Sequence, residues 1–372
     1  MKVLVTGGAG FIGSHIVDLL IEKGHNVTIY DNLDPQIHGA KREIPAYLNK
    51  SAEFIFGDVR DKEKLYEAVK NAEIIFHKAA AVGVGQSMYQ IEHYVDVNTR
   101  GTAVLLDILV NKKNKVKKLI VAASMSSYGE GLYNCKKCGK VFPEIRTEKQ
   151  LKEKKFELFC GGCGAELQPL PTDEEKSRDS VSIYAITKKD QEDMCLNIGN
   201  AYKIPTVALR YFNVYGQRQS VSNPYTGVVA IFASRLLNNN PPIIYEDGLQ
   251  TRDFINVKDI AIANLLAMEK SEADNQYFNV GSGSPITVKN IAEQLALTLG
   301  KNIKPELVNK YRIGDVRHCF ADINKIQKAL GFSPSVNFDS GMKELCDWLK
   351  SQNAVDKVED AQQELADKGL IV

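Results

Sequence analysis

Tyr184 and Lys188 stand four residues apart in Tyr184-Ala185-Ile186-Thr187-Lys188, a spacing that puts a phenol and an ammonium on one face of a helix. An isolated phenol, with a pKa of about 10, is a poor base near neutrality, and a cation beside it lowers that value. The pair therefore reads as a device for moving a proton. Ser124, just beyond the apolar run Leu119 to Ala122, offers a hydroxyl that could bond the same substrate oxygen. Tyr-x-x-x-Lys is a common spacing, and its weight depends on what lies upstream.

Upstream is Thr6-Gly7-Gly8-Ala9-Gly10-Phe11-Ile12-Gly13. Gly8, Gly10 and Gly13 satisfy G-x-G-x-x-G, with Gly7 an additional small residue in the turn. The apolar run Val3-Leu4-Val5 precedes it and an amphipathic stretch follows. That context suits a tight turn that lets a pyrophosphate approach a helix N-terminus. Asp31 ends the next apolar run, close to the separation expected of a carboxylate on the adenosine ribose. A carboxylate there repels the 2'-phosphate of NADP, and Asn32 and Leu33 bring no arginine to reverse that preference, so NAD is the expected cofactor. Asp58 and Val59 follow the third apolar run and could meet the adenine. The plainer alternative makes the glycines a structural turn and Asp31 a helix cap. With the dinucleotide in place, Lys188 could also hold its nicotinamide ribose.

Cys135-Lys136-Lys137-Cys138-Gly139 and Cys160-Gly161-Gly162-Cys163-Gly164 are two matching Cys-x-x-Cys-Gly knuckles. Four thiolates so paired predict a tetrahedral structural zinc site with no open position for substrate. Rubredoxin-like iron and four free thiols are the alternatives. Cys195, Cys319 and Cys346 read as packing residues.

The elements that must position these groups follow a β-α-β rhythm. Val3 to Val5, Val27 to Tyr30, Phe54 to Phe56, Ile74 to Phe76 and Leu119 to Val121 are short, β-branched and mostly uninterrupted apolar runs, as in parallel strands buried on both faces. Helical stretches lie between them, including Ile12 to Lys23 and Val95 to Val110. The expected fold is α/β: a doubly wound parallel sheet over residues 1–212, interrupted by a cysteine-bearing insertion at 133–171. Residues 213–372 are expected to form mainly a smaller, loop-rich substrate domain, with some segments returning to the first. A helix is expected from about Ile183 to Tyr202, and Asn353 to Gly369 reads as a surface helix or frayed tail. Lys and Arg number 47 against 46 Asp and Glu, so no basic excess points to nucleic acid. With no signal peptide and no apolar run of membrane-spanning length, a cytoplasmic enzyme without membrane or nucleic-acid partners is the expectation.

Taken in order, these pieces resemble the extended short-chain dehydrogenase/reductases, specifically the nucleotide-sugar epimerases and dehydratases. The resemblance also rests on Tyr30-Asp31, Gly57-Asp58-Val59, His77-Lys78-Ala79-Ala80, Asn98-Thr99-Arg100-Gly101-Thr102, Arg210 to Gly216, Thr251-Arg252-Asp253-Phe254 and Arg312-Ile313-Gly314-Asp315. It covers nearly the whole chain outside the insertion. It implies cofactor contacts from Gly7, Gly10, Phe11, Ile12, Gly13, Asp31, Asn32, Asp58, Val59, Ala79, Ala80, Asn98, Tyr184 and Lys188. It implies substrate contacts from Ser124, Ser126, Asn213, Arg252, Arg312 and Asp315, with the two arginines suited to a diphosphate. A homodimer is implied through the helices near Val95 to Val110 and Ile183 to Tyr202.

Dehydratases and decarboxylases of this group carry an acidic residue where this chain has Ser126, and dehydratases usually carry Asp where it has Met125. Epimerisation of a nucleotide-linked sugar at C4 through a 4-keto intermediate is therefore the expected reaction, as in UDP-glucose 4-epimerases. The cysteine insertion is similar to one associated with dTDP-L-rhamnose 4-epimerases. The competing readings are a nucleotide-sugar dehydrogenase or reductase, a 4,6-dehydratase, and a non-catalytic dinucleotide-binding scaffold whose ribbon grips nucleic acid.

Overall fold

The computed structural model describes residues 1–371. Seven parallel strands form the central sheet: β1 (Lys2–Thr6), β2 (Asn26–Asp31), β3 (Glu53–Phe56), β4 (Ile74–His77), β5 (Lys118–Ser124), β6 (Thr206–Tyr211) and β7 (Gln276–Val280). Their spatial order is β7-β6-β5-β4-β1-β2-β3. The order reverses direction beside β1, which is where doubly wound sheets bind ligands, outside the carboxyl ends of the strands.

The apolar runs feed two cores by simple alternation. On β5, Ile120 and Ala122 enter the core on one face while Leu119, Val121 and Ala123 enter the other. On β6, Val207, Leu209 and Tyr211 face the first core and Ala208 the second. A strand rotates its side chains by half a turn per residue, so an unbroken apolar run is what burial on both faces requires. Helices α1 (Phe11–Glu22) and α5 (Val257–Glu269) cover the first face; α2 (Lys62–Val69), α3 (Gly101–Asn111) and α4 (Ile183–Tyr202) cover the second.

Two features differ from the expectations. The stretch predicted as a helix from Val95 is part of a longer run that begins at Ile91, and its middle turn, Val95–Arg100, is a π-helix. Such widened turns redirect a side chain and recur at functional sites. Beyond Asn213 the chain is more helical than its irregular spacing suggests. It carries Val228–Leu237, Val288–Thr298 and Phe338–Leu349 around a separate core that includes Phe232, Ile291 and Leu345. Its second sheet joins Asn213–Tyr215, Thr251–Asn256, Pro285–Thr287 and His318–Cys319.

The insertion forms a three-stranded antiparallel sheet from Leu132–Cys135, Gly139–Val141 and Gln168–Leu170, with the first in the middle. The C-terminal helix α6 (Val358–Asp367) is docked rather than frayed. Its buried Val358, Ala361 and Leu365 form one stripe, Gln362 donates to the Tyr245 hydroxyl at 2.9 Å, and the Ile313 N–H donates to the Leu370 carbonyl at 3.1 Å.

Candidate active site

The glycine loop between β1 and α1 is packed too closely for side chains. A Cβ on Gly13 would lie 2.1 Å from the Gly7 carbonyl oxygen, and one on Gly7, at φ +69°, would lie 2.7 Å from the Ala79 nitrogen. No side chain caps α1 at Gly10, so the N–H groups around Phe11, Ile12 and Gly13 at its positive end are available to an anion. Asp31 accepts from the Ala9 N–H and the Leu33 N–H, each at 2.9 Å. Burial pushes its pKa up, and the two N–H bonds oppose that shift. Its carboxylate thus supports the loop as well as placing a charge beside it.

Asp58 takes the Arg60 guanidinium and accepts from Asn32 at 3.0 Å. Burial alone would raise its pKa, but the bonds from Arg60 and Asn32 outweigh burial and hold it down at about 2. The neighbouring Val59 is buried, against Gly101 at the start of α3. Ala79 and Ala80 leave the end of β4 under the control of Asn98, which lies in the π turn with no exposed surface. Asn98 accepts the Ala81 N–H at 2.7 Å, donates to the Ala81 carbonyl at 3.1 Å, and donates to Thr187 on α4 at 3.0 Å. One side chain therefore fixes the segment beside the glycine loop and ties it to the helix that carries Tyr184 and Lys188.

That helix begins cleanly because Ser182 caps it, accepting from the Ala185 N–H at 3.1 Å. The Tyr184 N–H donates to Ser87 at 3.0 Å, and its ring meets Tyr94 edge-on at 6.5 Å. Ser124, at the end of β5, lies close enough to its phenol to lower the phenol's pKa. The Ser124 hydroxyl also accepts from the Ser126 hydroxyl at 2.9 Å and the Ser126 N–H at 3.2 Å. Deeper, Glu192 and Arg210 form a buried pair (2.6 Å) that anchors α4 to β6.

The electrostatics differ from what spacing alone suggests. Burial raises the Tyr184 pKa, opposed by the nearby Ser124 hydroxyl. Lys188 is 4% exposed, and its ammonium donates to Gln191 at 2.7 Å. Burial lowers its pKa to about 8. The reason is geometric: in this arrangement Gln191, three residues along the same helix, takes the ammonium. Gln191 in turn donates to Thr102 at 2.8 Å, and Thr102 shares a 3.0 Å hydrogen bond with His77. Burial pushes His77 down to about 3, so its ring is neutral. The spacing of Gln191 from Lys188 was readable; its partnership was not.

In the C-terminal part of the chain, Asp315 lies between two arginines. Arg312 donates to it at 3.1 Å and Arg252 reaches it at 3.4 Å. Burial would raise the Asp315 pKa, but Arg312, Arg252 and Arg146 together hold it below the usual carboxylate range. Arg312 also lies over the Tyr245 ring, 4.9 Å from its centroid. The Asn213 amide oxygen and the Arg312 Nε are buried without a partner, which leaves polar capacity for a ligand.

The four cysteine sulfurs lie within 4.8 Å of one another. Cys135 ends the central strand of the insertion, and N–H groups of Cys138 and Lys137 lower its thiol pKa to about 6. The second knuckle is a tight turn in which the Gly164 N–H donates to the Cys160 carbonyl at 2.8 Å. Gly139 and Gly164, the residues after each second cysteine, share a left-handed backbone at φ +79° and +71°.

Residues 3–149 match the NAD dependent epimerase/dehydratase family, and residues 164–345 match GDP-mannose 4,6 dehydratase. The chain is 34% identical to a dTDP-L-rhamnose 4-epimerase of Burkholderia thailandensis, over 94% of this chain and 95% of that protein. A structure of UDP-glucose 4-epimerase from Thermotoga maritima with UDP-glucose superposes with a TM-score of 0.74 at 32% identity, covering 94% of this chain and 99% of that one. The Thermus thermophilus UDP-glucose 4-epimerase in complex with NAD gives 0.74 at 29% identity, over 95% of this chain and 100% of that one.

Proposed function

Because this chain belongs to the NAD-dependent epimerase/dehydratase family, we propose that it is an NAD-dependent 4-epimerase of a nucleoside-diphosphate sugar, working through a 4-keto intermediate. The observation that carries the reading is the Ser124–Tyr184–Lys188 cluster with no carboxylate at positions 125 and 126. Ser126 spends its hydroxyl on Ser124, so nothing there can act as the acid that eliminates water.

The crowded glycine loop and the uncapped α1 fit a dinucleotide pyrophosphate, with Asp31 favouring NAD over NADP. Residues 1–212, apart from the insertion at 133–171, would hold it, and 213–372 would mainly hold the sugar nucleotide. When bound, NAD supplies the reversible hydride acceptor for C4. Tyr184, as phenolate, takes the C4 hydroxyl proton, and Ser124 holds that oxygen in line. Lys188 leaves Gln191 to hold the nicotinamide ribose and to supply the positive charge that the buried phenol lacks in the arrangement described above. Asn213, Arg252 and Arg312 grip the diphosphate, with Asp315 keeping the arginines apart. Once the keto group had presented its other face, return of the hydride to C4 and of the proton from Tyr184 to the same oxygen would invert C4.

The four cysteines fit one structural zinc, since thiolates at this separation need a shared cation. Ile91, Val95 and Ile186 leave apolar surface exposed on the helical run that starts at Ile91 and on α4, which supports a homodimer through those helices. Sedimentation showing only monomer would remove that part. Among the described residues no helix is long and apolar enough to cross a membrane.

The test is a panel of UDP- and dTDP-sugars deuterated at C4, with products read by NMR. Inverted C4 with the label retained is expected, and Tyr184→Phe should lower turnover by about 10²–10⁴-fold while leaving NAD bound. Loss of label to solvent, or release of water, would overturn the reading.

A further inference from the structure

The loop from Lys310 to His318 carries Arg312 and Asp315, yet much of what holds it comes from the cysteine insertion. Tyr311 is buried against Leu151 and Phe156 of the insertion. Arg146, itself buried, donates to the Asp315 carbonyl at 2.8 Å, to Glu246 at 2.8 Å and to the Phe156 carbonyl at 3.1 Å. Two residues beyond Asp315, Arg317 has no exposed surface and donates to Glu157 of the insertion at 3.0 Å, and also to Glu246 and Asp247. His318 meets the other oxygen of Glu157 at 3.0 Å. Glu130, at the root of the insertion, accepts the Arg317 N–H at 2.8 Å. The Arg317 carbonyl then accepts from Arg252 at 3.0 Å.

From this geometry we propose that the cysteine insertion is a brace for the diphosphate grip, with Arg146 and Glu157 as positioning residues acting through Asp315 and Arg317 on Arg312 and Arg252. The proposal rests on the reading of those two arginines as diphosphate ligands. Breaking a buried charge network usually leaves an unpaired ion. Here Arg146→Met leaves Glu246 still paired with Arg317 at 3.0 Å, so the fold should survive. The brace predicts a selective loss. A guanidinium displaced from its site weakens the bond to a diphosphate and leaves the glycine loop, which none of these hydrogen bonds reaches, unaltered.

UDP and dTDP are the probes, titrated calorimetrically into NAD-containing protein. For Arg146→Met, and for Glu157→Gln in case the first variant fails to fold, the dissociation constant of the diphosphate that wild type binds should rise about tenfold. NAD content and melting temperature should stay near wild type. With the sugar nucleotide that the panel identifies, KM should rise by a similar factor while kcat changes less than about twofold. Unchanged diphosphate affinity in a folded variant overturns the brace while leaving the proposed reaction standing. Parallel loss of NAD and diphosphate affinity also overturns it, since that is general loosening. Wild-type protein that binds neither UDP nor dTDP overturns the diphosphate grip and the brace together.

Discussion

Asn98→Ala removes the one side chain that joins the Ala79–Ala81 segment to α4. The structure gives the size of the effect. The Ala81 N–H loses its 2.7 Å acceptor, the Ala81 carbonyl loses a donor at 3.1 Å, and Thr187 loses one at 3.0 Å. Thr187 still donates to the Tyr184 carbonyl at 2.9 Å, so the main orphan is the Ala81 N–H, in a site with no room for bulk water at Asn98. That part-buried orphan and the cavity left by the amide together cost about 2–4 kcal/mol. At roughly 2.1 cal/mol/K per residue, a chain of 372 residues has an unfolding entropy near 0.8 kcal/mol/K, so the melting temperature should fall by about 3–5 °C. NAD affinity should fall as well, because Ala79 backs directly onto Gly7. Differential scanning fluorimetry with and without NAD, and calorimetric titration of the cofactor, read both effects. A melting temperature within a degree of wild type and unchanged NAD affinity would refute the role given to Asn98.

Two further outcomes follow from the site. Metal analysis of the purified protein should find about one zinc per chain, and Cys160→Ser should release it; an ordered insertion in metal-free protein would contradict the zinc assignment. Lys188 titrates at about 8 in the folded chain and near 10.4 when unfolded, so between those values the unfolded state holds the extra proton and stability rises with pH. Lys188→Met lacks this term, so its stability advantage over wild type should shrink by about 3 kcal/mol between pH 7 and pH 10.5 in NAD-free protein, as read by urea unfolding at both ends. A gap that stays constant across that range would show that the ammonium is not desolvated.

Much of the sheet was legible because burial on both faces leaves no choice but an unbroken apolar run, as in Leu119 to Ala123. Helix α4 has the ends expected of it: in the structure Ser182 caps it, and Lys203 leaves it in a left-handed conformation. The glycine loop was legible because only a residue without Cβ fits where Gly13 meets Gly7. Other features have no local cause. The π turn at Val95–Arg100 carries Asn98 to Ala81, 17 residues upstream, and no periodicity in the sequence marks it. The raised pKa of Tyr184 depends on burial, which a Tyr-x-x-x-Lys spacing does not report. The Arg146–Glu246–Arg317 network joins residues 71 to 171 positions apart, and each charge taken alone looks like an ordinary surface residue. The stripe Val358, Ala361 and Leu365 was present in the sequence, but it is sparse enough in a polar stretch to resemble a solvated helix.

The placement of β7 beside β6 also bears on how the chain is made. Strand β6 ends at Tyr211 and β7 begins at Gln276, so 64 residues lie between them. At about 5–20 residues per second, a ribosome needs several seconds to deliver the strand that covers this edge. Throughout that interval Thr206-Val207-Ala208-Leu209-Arg210-Tyr211 presents an unpaired, mostly apolar edge, the kind that recruits strands from other nascent chains. Arg210 is the one charge in it, and its partner Glu192 has already been synthesised. The ion pair that anchors α4 in the finished protein thus involves the one charged side chain of that temporary edge. Replacing Arg210 with an apolar residue would expose the growing chain to aggregation before the last strand arrives.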